Sequence, residues 1–125
     1  MGLFSALLGN ANTLDPAKAA AEYARVLYPG EPIELAFKLF RDVFLFTGTR
    51  IILIDRQGVT GQRVDYHSLP YSSISHFCVE TAGMFDLDAE LKIWLKGSHL
   101  PIQKKFNKQI DVYQVQALLA SKISG

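Results

Sequence analysis

The run Glu80-Thr81-Ala82-Gly83-Met84-Phe85-Asp86-Leu87-Asp88-Ala89-Glu90-Leu91-Lys92-Ile93-Trp94-Leu95 decides how the rest of the chain is read. From Asp86 the residues alternate without a break. Leu87, Ala89, Leu91, Ile93 and Leu95 fall on one side of an extended strand, and Asp86, Asp88, Glu90, Lys92 and Trp94 on the other, because successive strand side chains point to opposite faces. A strand with one apolar face has its register set by that face, since a one-residue slip would turn every apolar side chain outward. The polar face runs from three carboxylates to a lysine and then a tryptophan. An exposed face needs only to be hydrated, and this one carries the composition of a contact surface.

Outward from this strand the same period recurs. Ile33, Leu35, Phe37 and Leu39 alternate with Glu34, Ala36 and Lys38; Arg41-Asp42 interrupts, and Val43-Phe44-Leu45-Phe46 resumes. Thr47-Gly48-Thr49 reads as a hairpin turn into Ile51-Ile52-Leu53-Ile54. Gln57-Gly58-Val59-Thr60-Gly61 leads into Arg63-Val64-Asp65-Tyr66-His67, which Leu69-Pro70-Tyr71 ends. Further strands are expected over 73–80, 89–95 and 102–106, the last pair joined at Gly97-Ser98-His99. Seven strands at near-regular spacing predict an antiparallel sandwich or barrel. Asp15-Pro16 supplies an N-cap acceptor and a first-turn proline for a helix over 17–27, stopped by Tyr28-Pro29-Gly30. A closing helix over 108–122 carries Val112, Val115 and Leu119 at helical spacing, with Ile110, Leu118 and Ile123 widening the stripe. It is expected to cap a rolled sheet. The whole chain, 1–125, reads as one domain: a helical extension over 1–30, strands over 31–107 and the capping helix over 108–124.

Composition bounds the function. At 125 residues the chain is long enough to bury roughly two-thirds of its unfolded surface. Thirteen basic and twelve acidic residues leave a formal charge of +1, without the basic excess that phosphate-led nucleic-acid binding requires. Hydrophobic residues make up 49%, a surplus that burial between subunits would absorb. The single cysteine, Cys78, cannot form an intrachain disulfide, which points to a reducing, cytoplasmic setting. Between Phe77 and Val79 it reads as a buried, inert thiol. The start, Met1-Gly2-Leu3-Phe4-Ser5-Ala6-Leu7-Leu8-Gly9, has no basic leader, is too short to span a bilayer, and has Ala6 where a myristoylation signal has Ser or Thr. It reads as a short apolar helix docking on its own or a neighbouring subunit.

Glu80-Thr81-Ala82-Gly83 and the run from Phe85 to Trp94, with Asp55-Arg56-Gln57-Gly58-Val59-Thr60-Gly61 and Leu69-Pro70-Tyr71, resemble the bacterial pleckstrin-homology-like family. The resemblance covers nearly the whole chain. It implies a small stand-alone, mainly β domain (α+β) of seven strands and a C-terminal amphipathic helix, a tendency to form cyclic homo-oligomeric rings, and a protein-contact surface in place of an active site.

The residues give little chemistry to set against that. Asp86, Asp88 and Glu90 share a strand face, but extended spacing keeps them from converging on one ion, and Leu91 stands where a calcium loop needs glycine. His67, His76 and His99 lie on three segments. No nucleophile–base constellation and no phosphate loop emerges, so no catalytic residue, metal or cofactor is assigned. Lipid binding is the rival reading: the first hairpin offers Lys38 and Arg41 amid apolar residues, and each cation near an anionic surface adds only about 1 kcal/mol. The expectation is therefore a non-enzymatic scaffold that assembles with itself and presents a hydrophilic surface to an unidentified protein. Asp86, Asp88, Glu90, Lys92 and Trp94 are the first candidates for interface and protein binding, with Arg50, Asp55 and Gln57 behind them. A peripheral membrane module is the alternative.

Overall fold

The computed structural model describes residues 13–39, 41–58, 62–81, 89–106 and 110–124. Within them the elements run α1 (Pro16–Glu22), β1 (Ile33–Lys38), β2 (Val43–Thr47), β3 (Arg50–Gln57), β4 (Arg63–Pro70), a 3-10 turn (Tyr71–Ser73), β5 (Ile74–Glu80), β6 (Ala89–Leu95), β7 (Ile102–Phe106) and α2 (Val112–Ser124). The strands form two antiparallel sheets, β1-β2-β3-β4 and β5-β6-β7, and not one closed barrel. The expected mainly β fold with a C-terminal helix is the one observed. The chain divides into two compact units, 1–69 and 70–125.

In the first unit β2 and the first half of β3 are buried on both faces, residue after residue from Val43 to Thr47 and from Ile51 to Ile54. That explains why these segments read as apolar runs and not as alternations. One face carries Ala36, Val43, Leu45, Ile52 and Ile54 with Ala19 of α1, and Tyr23, Val26, Leu27 and Val64 pack against it. The other carries Phe37, Phe44 and Phe46. Phe37 and Phe46 meet edge to face at 6.1 Å, and Phe44 and Phe46 stack at 5.8 Å. A bulge between Ile33 and Leu35 breaks the simple alternation expected of β1 and lets Ile33 and Ala36, three residues apart, join the same cluster, while Phe37 is buried on the opposite face. Thr13 bridges Phe37, and the Leu14 amide donates to the Ala36 carbonyl at 2.9 Å, which covers part of the outer edge of β1.

Helix α1 starts as expected, with the Asp15 carboxylate accepting from the Lys18 amide at 3.1 Å and proline next in line. It ends sooner than expected. After Glu22 the chain tightens into turns, with Val26 N bonded to Tyr23 O at 2.9 Å and Leu27 N to Ala24 O at 3.3 Å. These tighter turns bring Tyr23, Val26 and Leu27 onto the sheet, a tertiary preference that overrides helix propensity.

In the second unit the opening stretch behaves as its period dictates. Ala89, Leu91 and Ile93 are buried while Glu90, Lys92 and Trp94 are half-buried. Asp86 and Asp88 lie outside the described residues. The β6–β7 connection is a tight turn in which Ser98 N donates to Leu95 O at 3.0 Å. Gly97 takes its third position at φ 83°, a conformation that costs a side-chain-bearing residue energy. Helix α2 packs on the 3-10 turn and β5 and buries Val112, Val115 and Leu119, the three residues expected to face inward. It spans Val112–Ser124, with Ile110 and Asp111 before it outside the helix; the expected start at 108 lies outside the described residues.

Replacing Leu119 by alanine is expected to lower the unfolding free energy by about 2–5 kcal/mol. The exposed Gln116→Ala on the same helix should change it by no more than about 0.5 kcal/mol. Urea unfolding of the two variants checks this, and equal effects would contradict the assigned helix face.

Candidate functional site

Among the described residues two polar constellations occur, one in each unit, and they differ in character. The first is centred on Arg50, at the start of β3. Its guanidinium holds both oxygens of Glu31: Nε to Oε2 at 2.9 Å and Nη2 to Oε1 at 2.7 Å. Nη2 also donates to the Val26 carbonyl at 3.1 Å and Nη1 to the Ser68 hydroxyl at 2.6 Å. The Glu31 side chain has no exposure, and that of Arg50 keeps 21%. Glu31 further accepts from the Tyr28 amide at 3.1 Å. The Arg50 hydrogen bonds, opposed by burial, hold the Glu31 carboxyl below the usual glutamate range, and the same bonds raise Arg50. Thr47 closes the β2–β3 hairpin beside them, its hydroxyl accepting from the amides of Thr49 and Arg50 at 3.2 and 3.1 Å. Arg50 is thus engaged inside its own unit.

A cavity of about 350 Å³ adjoins this network, lined by Ala20, Ala24, Leu27, Tyr28, Pro29, Gly30 and Glu31. Its one carboxylate, Glu31, is already committed to Arg50, so the cavity has an apolar wall without the convergent polar groups that orient a ligand. Asp55 and Gln57 lie at the far end of β3, where Gln57 Nε2 donates to Asp65 at 3.0 Å and to Asp55 at 3.4 Å. The structure therefore separates Arg50 from Asp55 and Gln57.

The second constellation is the outward face of β5-β6-β7. Strand pairing sets His76 opposite Trp94, Cys78 opposite Lys92, Glu80 opposite Glu90, Lys92 opposite Gln103 and Glu90 opposite Lys105. This makes an aromatic row, a thiol–ammonium–amide row and a carboxylate row across one surface. Glu80 and Glu90 are like charges directly opposed, an unfavourable pairing. It is relieved by Lys92 Nζ on Glu80 at 2.6 Å and by Gln103 Nε2 on Glu90 at 2.6 Å. Glu80 holds the Lys92 ammonium above the usual lysine value. His76 lies flat on Trp94, ring centroids 4.4 Å apart and planes 13° from parallel.

Of the first candidates, Glu90, Lys92 and Trp94 are brought together here, and Asp86 and Asp88 are outside the described residues. Cys78 corrects the sequence reading: its thiol is exposed, because strand alternation puts it on the face of His76 and Glu80 while Phe77 and Val79 point the other way. His76, Cys78, Glu80, Gln103 and Lys105 were the members of this face that sequence reasoning missed. The signal for the first three was the i, i+2 spacing of polar residues along 76–80. The pairing with Gln103 and Lys105 has no local signal.

Among the described residues no group of three or more histidine, cysteine or carboxylate side chains converges as a metal site. No helix among them is long and apolar enough to cross a membrane.

A four-stranded meander, a three-stranded sheet and a closing amphipathic helix define a pleckstrin-homology fold. Comparison with known proteins bears this out: a bacterial PH domain family model matches residues 2–123. The uncharacterized proteins YjqA and YozO of Bacillus subtilis (strain 168) are 52% identical over 122 residues and 33% identical over 123. These alignments cover 97% and 98% of this chain and 98% of each relative. The crystal structure of a pleckstrin homology domain from Shewanella amazonensis SB2B superposes with a TM-score of 0.81 at 50% identity, covering 99% of this chain and all of that one (100%). That of a DUF1696 family protein with a pleckstrin-homology domain from Shewanella loihica PV-4 gives 0.81 at 46%, covering 92% and 98%. The chain belongs to the bacterial PH domain family.

The Glu31–Arg50 pair generates an asymmetric expectation. Arg50→Ala leaves a carboxylate buried without its partner and should cost about 3–5 kcal/mol. Glu31→Gln keeps a hydrogen-bonding group beside an arginine that reaches solvent, and should cost less. Because the folded-state pKa of Glu31 is depressed, its contribution is present above the unfolded glutamate value and is lost as pH falls through the lower folded value. Wild-type stability should therefore decline on acidification below the ordinary glutamate range, and Glu31→Gln should remove that part of the decline. Denaturant titrations of the variants across acidic pH measure both effects.

Proposed function

We propose that this protein is a non-enzymatic interaction module that assembles with itself into a cyclic homo-oligomer and offers a hydrophilic surface to another protein. The observation that carries the reading is the outward face of β5-β6-β7. There a half-buried tryptophan, the only one in the chain, sits in the same surface as Glu80, Glu90, Lys92 and Lys105. Aromatic residues are enriched at interfaces, and ordered charges of both signs set specificity and encounter rate more than affinity. Asp86 and Asp88, outside the described residues, stay candidates on the sequence pattern alone, and Asp55 and Gln57 remain secondary candidates. A heterologous contact that closes on itself gives a ring, and a ring repeats each weak site, so avidity replaces strong individual contacts. The PH-like family is generally non-enzymatic, which agrees with this reading.

One observation favours a second reading, a peripheral contact with anionic lipid. Arg41 Nη2 donates to the Gly58 carbonyl, tying the β1–β2 connection to the start of the β3–β4 connection. Exposed Lys38, Arg56 and Arg63 flank those two connections. Each cation is worth only about 1 kcal/mol at an anionic surface, which makes this the weaker reading.

Light scattering at micromolar concentration should return a mass several times that of one chain; a monomer would remove the ring. A pull-down with an Asp86/Asp88/Glu90 triple-alanine variant should lose partners that wild type retains. Retention of every partner, together with strong salt-sensitive sedimentation of wild type on anionic vesicles dependent on Lys38 and Arg41, would replace the scaffold with the membrane reading.

A further inference from the structure

The His76–Trp94 stack has a local cause. Strand β5 is irregular between Ile74 and His76. The extra residue, Ser75, is exposed next to His76, so that two consecutive side chains share the outward side, as a bulge allows. The Ser75 hydroxyl sits 3.0 Å from His76 Nδ1. A hydroxyl can donate to a bare ring nitrogen or accept from a protonated one, so this contact serves the neutral and the charged imidazole alike. The flat arrangement of the rings, 4.4 Å apart, also suits both forms, and a cation over an indole face gains an electrostatic attraction that a neutral ring lacks. The position of His76 is thus built to take up a proton without being expelled.

The other charges on the face are arranged so that such a proton is felt locally. On β5 the neighbours are Cys78 and then Glu80; on β6, Lys92 and then Glu90, and on β7, Lys105 opposite Glu90. Helix α2, which packs on β5, contributes only Tyr113 and Lys122 as titratable side chains, and Asp111 precedes it. The carboxylates Glu80 and Glu90 stand two rows from the aromatic row, roughly 13 Å away at 3.2–3.4 Å per residue. That exceeds the screening length of about 8 Å at physiological salt. The nearer charges are Lys92, whose partner Glu80 lies on its far side, and exposed Lys96, two residues beyond Trp94 on the same side of the strand and held by its amide to the Ser73 carbonyl at 2.8 Å.

We propose that His76 is a proton-operated element of this surface: when it takes up a proton it stays stacked on Trp94 and adds a positive charge between Lys92 and Lys96, so that an acidic protein segment docks there more tightly in mildly acidic than in mildly basic solution. The preference for an acidic partner rests on the reading of this face as a contact surface; the change of local charge does not.

The isolated protein suffices for the test, since Trp94 is the only tryptophan and His76 lies on it. Imidazole takes up a proton between about pH 8 and pH 5, and an imidazolium in contact with indole quenches its emission. Wild-type emission should lose intensity over that interval. Quenching by iodide should rise relative to quenching by caesium over the same interval, because the anion is drawn to the new positive charge. His76→Gln, at an exposed position where the fold is expected to survive, should lose both responses while its circular dichroism and urea midpoint stay at wild-type values. His76→Arg should show the acid-form iodide preference at every pH. A flat wild-type response, or the same response in His76→Gln, overturns the proposal. If these responses appear while an acidic peptide such as polyglutamate binds equally at both pH values, the charge change stands and the partner preference is overturned.

Discussion

The pairing of Glu31 with Arg50 is the constraint on which the first unit rests. It joins residues nineteen positions apart in sequence, and through the same guanidinium it reaches Val26 in the turns after α1 and Ser68 on β4. One planar cation with several donors therefore fixes the exit from the helix, the start of β3 and the end of β4. A buried carboxylate is costly to remove from water, and the attraction of a partner repays that only when the hydrogen bonds are complete. Here they are: both carboxylate oxygens are taken, a backbone amide adds a third bond, and no buried side-chain nitrogen or oxygen among the described residues lacks a partner. The apolar packing of α1 on the sheet removes hydrocarbon from water, and the completed ion pair ties the turns after α1, β3 and β4 together at one point.

The second unit is governed by register. With apolar residues on one side of β6 and polar ones on the other, a single-residue slip would bury Glu90, Lys92 and Trp94 and expose Leu91 and Ile93. The same register that makes the inner face determines the outward rows, so core and candidate surface are two consequences of one alternation. The like-charge pair Glu80 and Glu90 shows the limit of that economy. Pairing places them opposite each other, and Lys92 and Gln103 have to be present to offset it.

Much of this was legible in the sequence where the signal is local. Period-two runs located the strands, Asp15-Pro16 located the start of α1, and Val112, Val115 and Leu119 located the inner face of α2. Boundaries that depend on distant contacts were not legible: α1 stops at Glu22 because Tyr23, Val26 and Leu27 are drawn to the sheet, although helix formers continue. Cys78 was misjudged because its apolar neighbours were weighed above the period, which assigns it outward. Of the candidate residues, Glu90, Lys92 and Trp94 fall on one surface because they share a strand. Arg50 was read as a surface group because nothing near it in sequence announces Glu31. The aromatic pair was hidden for a similar reason, since the bulge at Ser75 that orients His76 leaves no mark in composition.

On the proposed function the outward face of β5-β6-β7 is where the chain meets other molecules, and Cys78 stands on that face in its middle row, between the aromatic and the carboxylate rows. As the only cysteine, and an exposed one, it reports on that face directly. The decisive measurement is the rate at which an alkylating reagent modifies Cys78 as the protein is diluted through the range in which the proposed assembly would dissociate, with the mass followed in parallel. If the face is an interface, modification is slow in concentrated protein and accelerates on dilution, in step with loss of the assembled mass. A rate that is fast and the same at every concentration, while the assembled mass persists, would contradict the account by placing the subunit contact elsewhere.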